Sequence, residues 1–248
     1  MKRDLYFSKP LMNAAGTLGF APDPRNGISL ESFGAFVTNP ISLRPRLPAA
    51  QPAAVEFPGG FLLHTGLPNP GISATIKSHA AHWDRAALPI LVHLMADRPE
   101  ETKKMVQSLE NTENVMGVEL GFAPLLADDI ILLNLEMCLG ELPLIFSLAV
   151  EQILALGPRL IQHGAAAISI SAPRGALKSR GGQMITGRIY GPSLFPRSLE
   201  IVHSASKLGI PLIGSGGIWD DEGAADMLSA GAMAVQLDAS LWVPREMA

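Results

Sequence analysis

Eight short apolar runs alternate with stretches of helical character along the chain, and this alternation restricts its fold more than any other feature. The apolar runs begin at Pro10, Ala35, Pro89, Val115, Leu142, Ala165, Pro211 and Met233. The helical stretches begin near Ser29, Ile72, Arg98, Ala127, Val150, Pro192 and Asp220. Strands that alternate with helices form parallel sheets covered by helices, and closing such a sheet into a barrel removes its exposed edges. Eight strands within 248 residues therefore predict an α/β fold, a (β/α)8 barrel.

The last predicted strand lies close to the end of the sequence. Only the eight residues LWVPREMA follow Ser240, too few for an eighth outer helix. We expect one barrel domain over residues 1–248 that apparently lacks this helix. Either another subunit covers the open face, which predicts a homo-oligomer or a partner subunit, or the sequence is truncated.

Composition excludes several classes of protein. A hydrophobic fraction of 48% with 17% charged residues suits a large core. The net charge of -4 argues against nonspecific nucleic-acid binding, which needs a basic surface. The single cysteine, Cys138, excludes an internal disulfide and a multi-cysteine metal site, and we expect no metal. The sequence has neither a signal-peptide core nor an apolar run long enough to span a membrane, so we expect a cytoplasmic protein.

Two connections are too long for ordinary turns between strand and helix. Residues 41–71 are rich in proline, and an insertion of this kind at the carboxyl end of a barrel strand is typical of a roof over a site. Residues 172–192 carry four cations: Arg174, Lys178, Arg180 and Arg188. This second segment is either a solvated basic loop or a lid that faces an anion.

A glycine-rich turn follows the seventh predicted strand. Gly214, Gly216 and Gly217 lie where the strand passes into a helix, and glycine there permits positive φ and close approach of a phosphate to backbone N–H groups. The loops after strands seven and eight are the usual phosphate site of such barrels. Glycine also serves tight turns without any ligand, so both interpretations stay open.

Five segments, in the same order, resemble the dihydroorotate dehydrogenase family of FMN-dependent (β/α)8 enzymes. They are PLMNAAGTLG (10–19), ISLRPR with VEFPGGFLLHTGLPNPG (41–71), VEL (118–120), the GG and TGR of 181–188, and IGSGGI with ADMLSAGAMAVQ (213–236). The resemblance implies FMN at the carboxyl face of the barrel. It places the phosphate at Gly216 and Gly217, near Gly187 and Ala239, and the ring near Ala14, Ala15 and Gly16.

Two positions that this resemblance places beside the flavin have lost a positive charge. Family members carry lysines after the second and fifth strands, where this sequence has Asn39 and Ser147. Such lysines stabilise the anionic edge of a reduced flavin. The sequence thus resembles a diverged member of the family.

The loop that carries the family's catalytic base also departs from the pattern. The base position falls on Pro124, and neighbouring asparagine positions fall on Gly121 and Leu126. Two further asparagine positions fall on Leu63 and Ala172. We therefore identify no catalytic residue, and we do not expect ordinary oxidation of dihydroorotate.

Asp238, in QLDAS, replaces a glycine of the family's phosphate site, where its carboxylate would repel a phosphate. The absent lysines and Asp238 both argue against FMN binding. His93 and His64 are candidate ligand contacts, although a lone histidine is more often structural. Cys138 has apolar neighbours in the sequence and is expected in the core.

Three hypotheses follow. The first is a dihydroorotate-dehydrogenase-like FMN oxidoreductase acting on an unknown substrate. The second is a non-catalytic, flavin-free homologue that acts as a binding or partner subunit. The third is a cofactor-free barrel that binds a phosphorylated metabolite at Gly216. Retention of AAGT, GLPNPG and GSGGI favours the first, and the loss of the lysines and the base favours the second.

Overall fold

The structure is a computed structural model that describes residues 5–242, and eight parallel strands in it close into a barrel. With all strands numbered in chain order, the barrel strands are β1 (Leu11–Asn13), β2 (Phe33–Val37), β5 (Ile90–Met95), β6 (Val115–Gly121), β7 (Leu144–Leu148), β8 (Ala167–Ile170), β11 (Leu212–Ser215) and β12 (Ala234–Leu237). β1 pairs with both β2 and β12, which closes the sheet. The predicted (β/α)8 barrel is confirmed.

Six α-helices cover the barrel within the described residues. They are α1 (Ile72–Asp84), α2 (Pro99–Leu109), α3 (Asp128–Cys138), α4 (Val150–Gln162), α5 (Phe195–Lys207) and α6 (Asp221–Ser229). Their apolar faces and the outward side chains of the strands form the larger core, with the indole of Trp83 fully buried. A smaller apolar layer fills the barrel interior around Met12, Val37, Leu91 and Ile213. No helix of the described chain is long and apolar enough to cross a membrane.

The helix predicted near Ser29 is wrong. A 3-10 turn at Pro24–Asn26 stands in this connection, with Asp23 capping its start. Gly27 ends the turn in the left-handed region at φ 71°, and β2 begins only six residues later, at Phe33. Too few residues remain for a stable helix, so the barrel lacks an outer helix between β1 and β2. The segment that bears on an eighth helix, residues 243–248, lies outside the described residues.

The two long connections pair with each other in a second, antiparallel sheet. Its strands are β3 (Ala53–Phe57), β4 (Gly60–His64), β9 (Arg174–Lys178) and β10 (Met184–Tyr190), in the order β3-β4-β10-β9. Strands β10 and β4 approach closely at Gly187, where a Cβ atom would lie 2.4 Å from the Leu63 carbonyl oxygen. Most of the basic segment is therefore an ordered hairpin of β9 and β10, which pairs with the insertion through residues 188–190 of β10.

Asn69, in GLPNPG, holds the return of the insertion to the barrel. Its Oδ1 accepts hydrogen bonds from the backbone N–H groups of Ser42 (3.1 Å) and Gly71 (3.0 Å). Gly71 has φ 81°, and a Cβ there would lie 2.9 Å from backbone atoms of Arg44 and Pro45. This motif thus has a structural role that requires no ligand.

Candidate functional site

A buried acid–base pair lies inside the barrel near its carboxyl end. β5 and β6 are neighbours in a register that sets His93 beside Glu119. His93 Nδ1 lies 2.6 Å from Glu119 Oε2, and both residues are buried. The other carboxylate oxygen, Oε1, accepts hydrogen bonds from Ser169 Oγ (2.7 Å) and Gln236 Nε2 (2.8 Å). Side chains from three other strands therefore fix the Glu119 carboxylate.

These contacts determine the ionisation of Glu119. Burial by itself raises the pKa of this carboxyl, but the hydrogen bond and charge of His93, with the bonds from Ser169 and Gln236, hold the pKa below its usual value. The carboxylate is thus anionic and accepts the Nδ1–H of His93. In the neutral imidazole this leaves the lone pair on Nε2.

The free nitrogen of His93 faces the mouth of the barrel. Among the described residues, none forms a hydrogen bond with Nε2. A Cβ at Gly121 would lie 2.4 Å from this atom, so the close approach requires glycine at the end of β6. His93 borders both an open cleft and a small inner cavity at this face.

The open cleft is lined by cations. Its volume is about 370 Å³. Arg46, Arg174 and Arg188 lie on its wall, which His93 and Ser147 also line. Arg174 and Arg188 are directly opposite each other in the β9–β10 ladder. Burial, together with the charges of Arg188 and Arg46, lowers the pKa of Arg174.

The three arginines form no close ion pair, although Asp97 and Glu151 also line the cleft and the charge of Asp97 acts on Arg174. No carboxylate of residues 5–242 lies within 4.0 Å of their guanidinium groups. Like charges directly opposite each other destabilise a sheet. The cleft thus has three arginines against two carboxylates, and an anionic ligand would neutralise the excess positive charge.

The inner cavity occupies the place predicted for the flavin ring. Ala14, Ala15, Ser147, Tyr190 and Asp238 are among its lining residues, but its volume is only about 30 Å³. That is room for about one water molecule, whereas ligand pockets hold about 300–1,000 Å³.

Tyr190 narrows the space over this cavity. Its ring stacks on Phe61 at 5.7 Å and meets Trp242 edge-on at 5.5 Å. Burial raises the pKa of the hydroxyl, which is hydrogen-bonded to the Arg188 guanidinium. Tyr190 and Arg188 thus form one polar contact at the boundary between cavity and cleft.

Asp238 lies at the predicted phosphate position and is only 3% exposed. Its carboxylate accepts a hydrogen bond from the backbone N–H group of Ala239 and lies close to the N–H group of Gly217. Burial raises the pKa of this carboxyl to about 6, even though the backbone hydrogen bonds lower it. The side chain therefore uses one donor, and lies close to a second, at the position that the resemblance assigned to a phosphate.

The retained glycines of GSGGI have a packing role. Gly216 and Gly217 have φ of 95° and 78°. A Cβ at Gly217 would lie 2.4 Å from the Phe195 nitrogen, and one at Gly216 would lie 2.8 Å from Ser198 Oγ. The approach of α5 thus requires these glycines with or without a ligand.

The remaining residues that the resemblance assigned to the cofactor include Asn39, Gly16 and Gly187. Asn39 Oδ1 accepts a hydrogen bond from the Gly19 N–H (3.1 Å), which holds the loop after β1. Gly16 has φ 93° in that same loop, and Gly187 lies within β10. Contact between any of these residues and a flavin stays a prediction.

Sequence reasoning missed Glu119, Arg46 and Tyr190, and it weighed His93 as a lone histidine. The available signal was the near-equivalent position of His93 and Glu119 in two consecutive predicted strands. His64 lies on a separate outer groove, beside Arg174. Cys138 is buried, as expected, which raises the pKa of its thiol to about 12. Within residues 5–242, no group of three or more potential ligands is placed to hold a metal.

Comparison with known proteins gives consistent similarities. The family model described as "Dihydroorotate dehydrogenase" matches residues 3–121. The chain is 32% identical over 260 residues to "Dihydroorotate dehydrogenase B (NAD(+)), catalytic subunit" of Pelobacter propionicus, covering 96% of this chain and 86% of that protein. It is 29% identical to the protein of the same name from Pyrococcus furiosus, with 96% and 85% covered. The crystal structure of DHODH from Eimeria tenella in complex with ferulenol superposes with a TM-score of 0.77 at 16% identity, over 96% of this chain and 78% of that one, and this likeness supports the fold.

Proposed function

This chain belongs to the dihydroorotate dehydrogenase family, and we propose that it binds a small anionic metabolite at the carboxyl face of the barrel without holding FMN at the family's flavin position. The observation that carries the proposal is the position of the Asp238 carboxylate, which is hydrogen-bonded to the backbone N–H of Ala239 and lies close to that of Gly217. Within the family, this proposal makes the chain a diverged, dihydroorotate-dehydrogenase-like protein.

Charge at Asp238 opposes an FMN phosphate. With a pKa of about 6, the carboxyl is mostly ionised at neutral pH. Two unit charges about 4 Å apart repel by roughly 4 kcal/mol at an effective dielectric constant of 20. Because a carboxyl with a pKa of about 6 can take up a proton when the phosphate binds, the cost at pH 7 is limited to that of the protonation, about 1.4 kcal/mol, which corresponds to about tenfold weaker binding.

The space predicted for the flavin ring also supports a protein that does not hold FMN at this position. The cavity of about 30 Å³ beside Ala14 and Ala15 is too small for an isoalloxazine ring with the side chains in these positions. Asn39 and Ser147 supply no cation for the anionic edge of a reduced flavin. The residues present therefore do not fit FMN in that place.

The arginines of the cleft support an anionic ligand. Guanidinium groups bind carboxylates and phosphates through paired, charge-assisted hydrogen bonds. Arg46, Arg174 and Arg188 converge on one cleft from two different connections, so a ligand there contacts both the insertion and the basic segment. This location differs from the Gly216 turn that the sequence suggested for a phosphorylated metabolite.

Calorimetric titration tests this proposal. Pyruvate, 2-oxobutyrate, 2-oxoglutarate and orotate serve as probes at low ionic strength. Arg174→Gln is expected to weaken the best probe by about 10- to 100-fold, because a hydrogen bond to a charged group contributes about 1.5–3 kcal/mol. Arg197→Gln, an exposed arginine on α5, is the matched control and is expected to bind normally. Failure of every probe to bind would contradict the proposal.

A second candidate function is FMN-dependent oxidoreduction, and the names of the relatives favour it. In that case Gly216, Gly217 and Ala239 would hold the phosphate, and Asp238 would have to turn away from it. Flavin retained in the purified protein would favour this second candidate over the first.

We also propose that the protein works as an oligomer or with a partner subunit. The absence of an outer helix between β1 and β2, within the described residues, supports it. Sedimentation of a monomer at micromolar concentration would contradict this assembly.

A further inference from the structure

We propose that His93 Nε2 is a general base that removes a proton from the carbon next to the carbonyl of a 2-oxo acid. The inference rests on the anion site proposed above and names the substrate class and the chemistry of that site. It requires a base with a free lone pair, a means of orienting that base, and cations that hold the substrate beside it.

The Glu119 carboxylate orients the imidazole of His93. Glu119 Oε2 lies 2.6 Å from Nδ1, and Ser169 and Gln236 fix the other carboxylate oxygen. A buried carboxylate held in this way selects the Nδ1–H tautomer and stabilises the imidazolium that forms when Nε2 accepts a proton. Glu119 is thus a positioning residue, and His93 is the catalytic residue.

The base also reaches the ligand space. His93 and Arg188 border both the cleft and the inner cavity, and Gly121 has no side chain that would cover Nε2. Arg46 and Arg174 lie on the same cleft wall, where they can hold a carboxylate. A 2-oxo acid has the required chemistry, because its carboxylate suits arginine and its carbonyl acidifies the adjacent C–H.

The step balances without a cofactor. Nε2 takes the proton from C3, the C3–H electron pair becomes a C2–C3 double bond, and the carbonyl electron pair moves onto the oxygen. The resulting enolate oxygen is negative, and the Arg188 guanidinium donates to it, as fixed donors do for other oxyanions. Return of the proton from the imidazolium to C3 regenerates the acid. No substrate atom changes oxidation state over the cycle.

Deuterium exchange tests the inference. The protein is incubated with 2-oxobutyrate in D2O, and loss of the C3 proton signal is followed by NMR against a protein-free sample. The wild type is expected to accelerate exchange. His93→Gln is expected to lower the protein-dependent rate by about 100-fold or more, as is typical for loss of a general base. His203→Gln, exposed on α5, is the control and is expected to exchange at the wild-type rate.

A second variant covers the case in which His93→Gln fails to fold. Glu119→Gln keeps the shape of the side chain and can retain contacts with Ser169 and Gln236. Its amide donates to His93 Nδ1 and so selects the tautomer with the proton on Nε2; it is expected to lower the exchange rate at saturation by about 100-fold or more, while the Kd for 2-oxobutyrate stays within twofold. A purely structural role would change the Kd or the melting temperature instead.

The outcomes separate this inference from the proposed function. Binding of 2-oxobutyrate without accelerated exchange overturns the general base and leaves the anion site standing. Wild-type exchange in folded His93→Gln also overturns it. Absence of binding by every 2-oxo acid contradicts both proposals.

Discussion

The Asp238 carboxylate accepts a hydrogen bond from the backbone N–H of Ala239 and lies close to that of Gly217, so a side chain of the protein occupies the turn that its sequence marks as a phosphate site. The same turn keeps its glycines because α5 packs against them, with a Cβ at Gly217 only 2.4 Å from the Phe195 nitrogen. Retention of the GSGGI motif is therefore no evidence for a bound phosphate.

Removal of the charge at Asp238 is expected to strengthen FMN binding. Asp238→Asn keeps one oxygen that can accept from the backbone and removes the negative charge. The affinity for added FMN at pH 7, measured by quenching of flavin fluorescence, is expected to rise by about tenfold, which is the cost of protonating Asp238 in the wild type. Asp226→Asn, exposed on α6, is the control for a general change of net charge. Equal affinity in wild type and Asp238→Asn would remove the electrostatic part of the account.

The same residue predicts a pH dependence of stability. The folded-state pKa of Asp238, about 6, lies above its ordinary value of 3.8. Its favourable contribution to stability is present below pH 3.8 and is lost as pH rises through 6. Above that range the buried charge costs about 3 kcal/mol.

Urea unfolding at several pH values measures this effect. Asp238→Asn is expected to be more stable than the wild type at pH 8, by up to about 3 kcal/mol, with a smaller difference at pH 4. Asp226→Asn is the control here too. A difference that is the same at both pH values would show that Asp238 does not titrate in this range.

A methyl group at Gly121 is expected to displace His93. The new Cβ of Gly121→Ala would lie 2.4 Å from Nε2, so the imidazole or β6 must move. We expect a loss of about 1–3 kcal/mol of stability, typical of overpacking, and a shifted His93 resonance in the NMR spectrum. At Gly181 a Cβ meets nothing closer than 3.8 Å, so Gly181→Ala is the matched control. Full stability in Gly121→Ala would mean that Nε2 is not held against this strand.

The barrel could be predicted from sequence because its signals are local. Each strand is a short apolar run and each predicted helix begins with its own pattern, so the eight strands and six of the seven helices are where the sequence predicts them. The helix near Ser29 failed because Gly27 adopts a left-handed conformation and β2 begins soon after it. A periodic apolar pattern does not reveal how few residues lie between the left-handed Gly27 and the start of β2.

The site was less predictable because it depends on register and on long-range pairing. His93 and Glu119 meet only because β5 and β6 align them, and Arg174 opposes Arg188 only in the β9–β10 ladder. Arg46 lies in a different connection from these two arginines. Asp238 could be found from the sequence because it follows the end of a strand where the family resemblance defines a glycine.

The visible absorption spectrum tests the central claim most directly. It is recorded for the freshly purified protein and again after incubation with excess FMN and gel filtration at pH 7.5. We predict a colourless protein that retains no stoichiometric flavin, with Asp238→Asn retaining more than the wild type. Flavin bands that co-elute with the wild-type protein in a one-to-one ratio would contradict the account and return the chain to FMN-dependent chemistry.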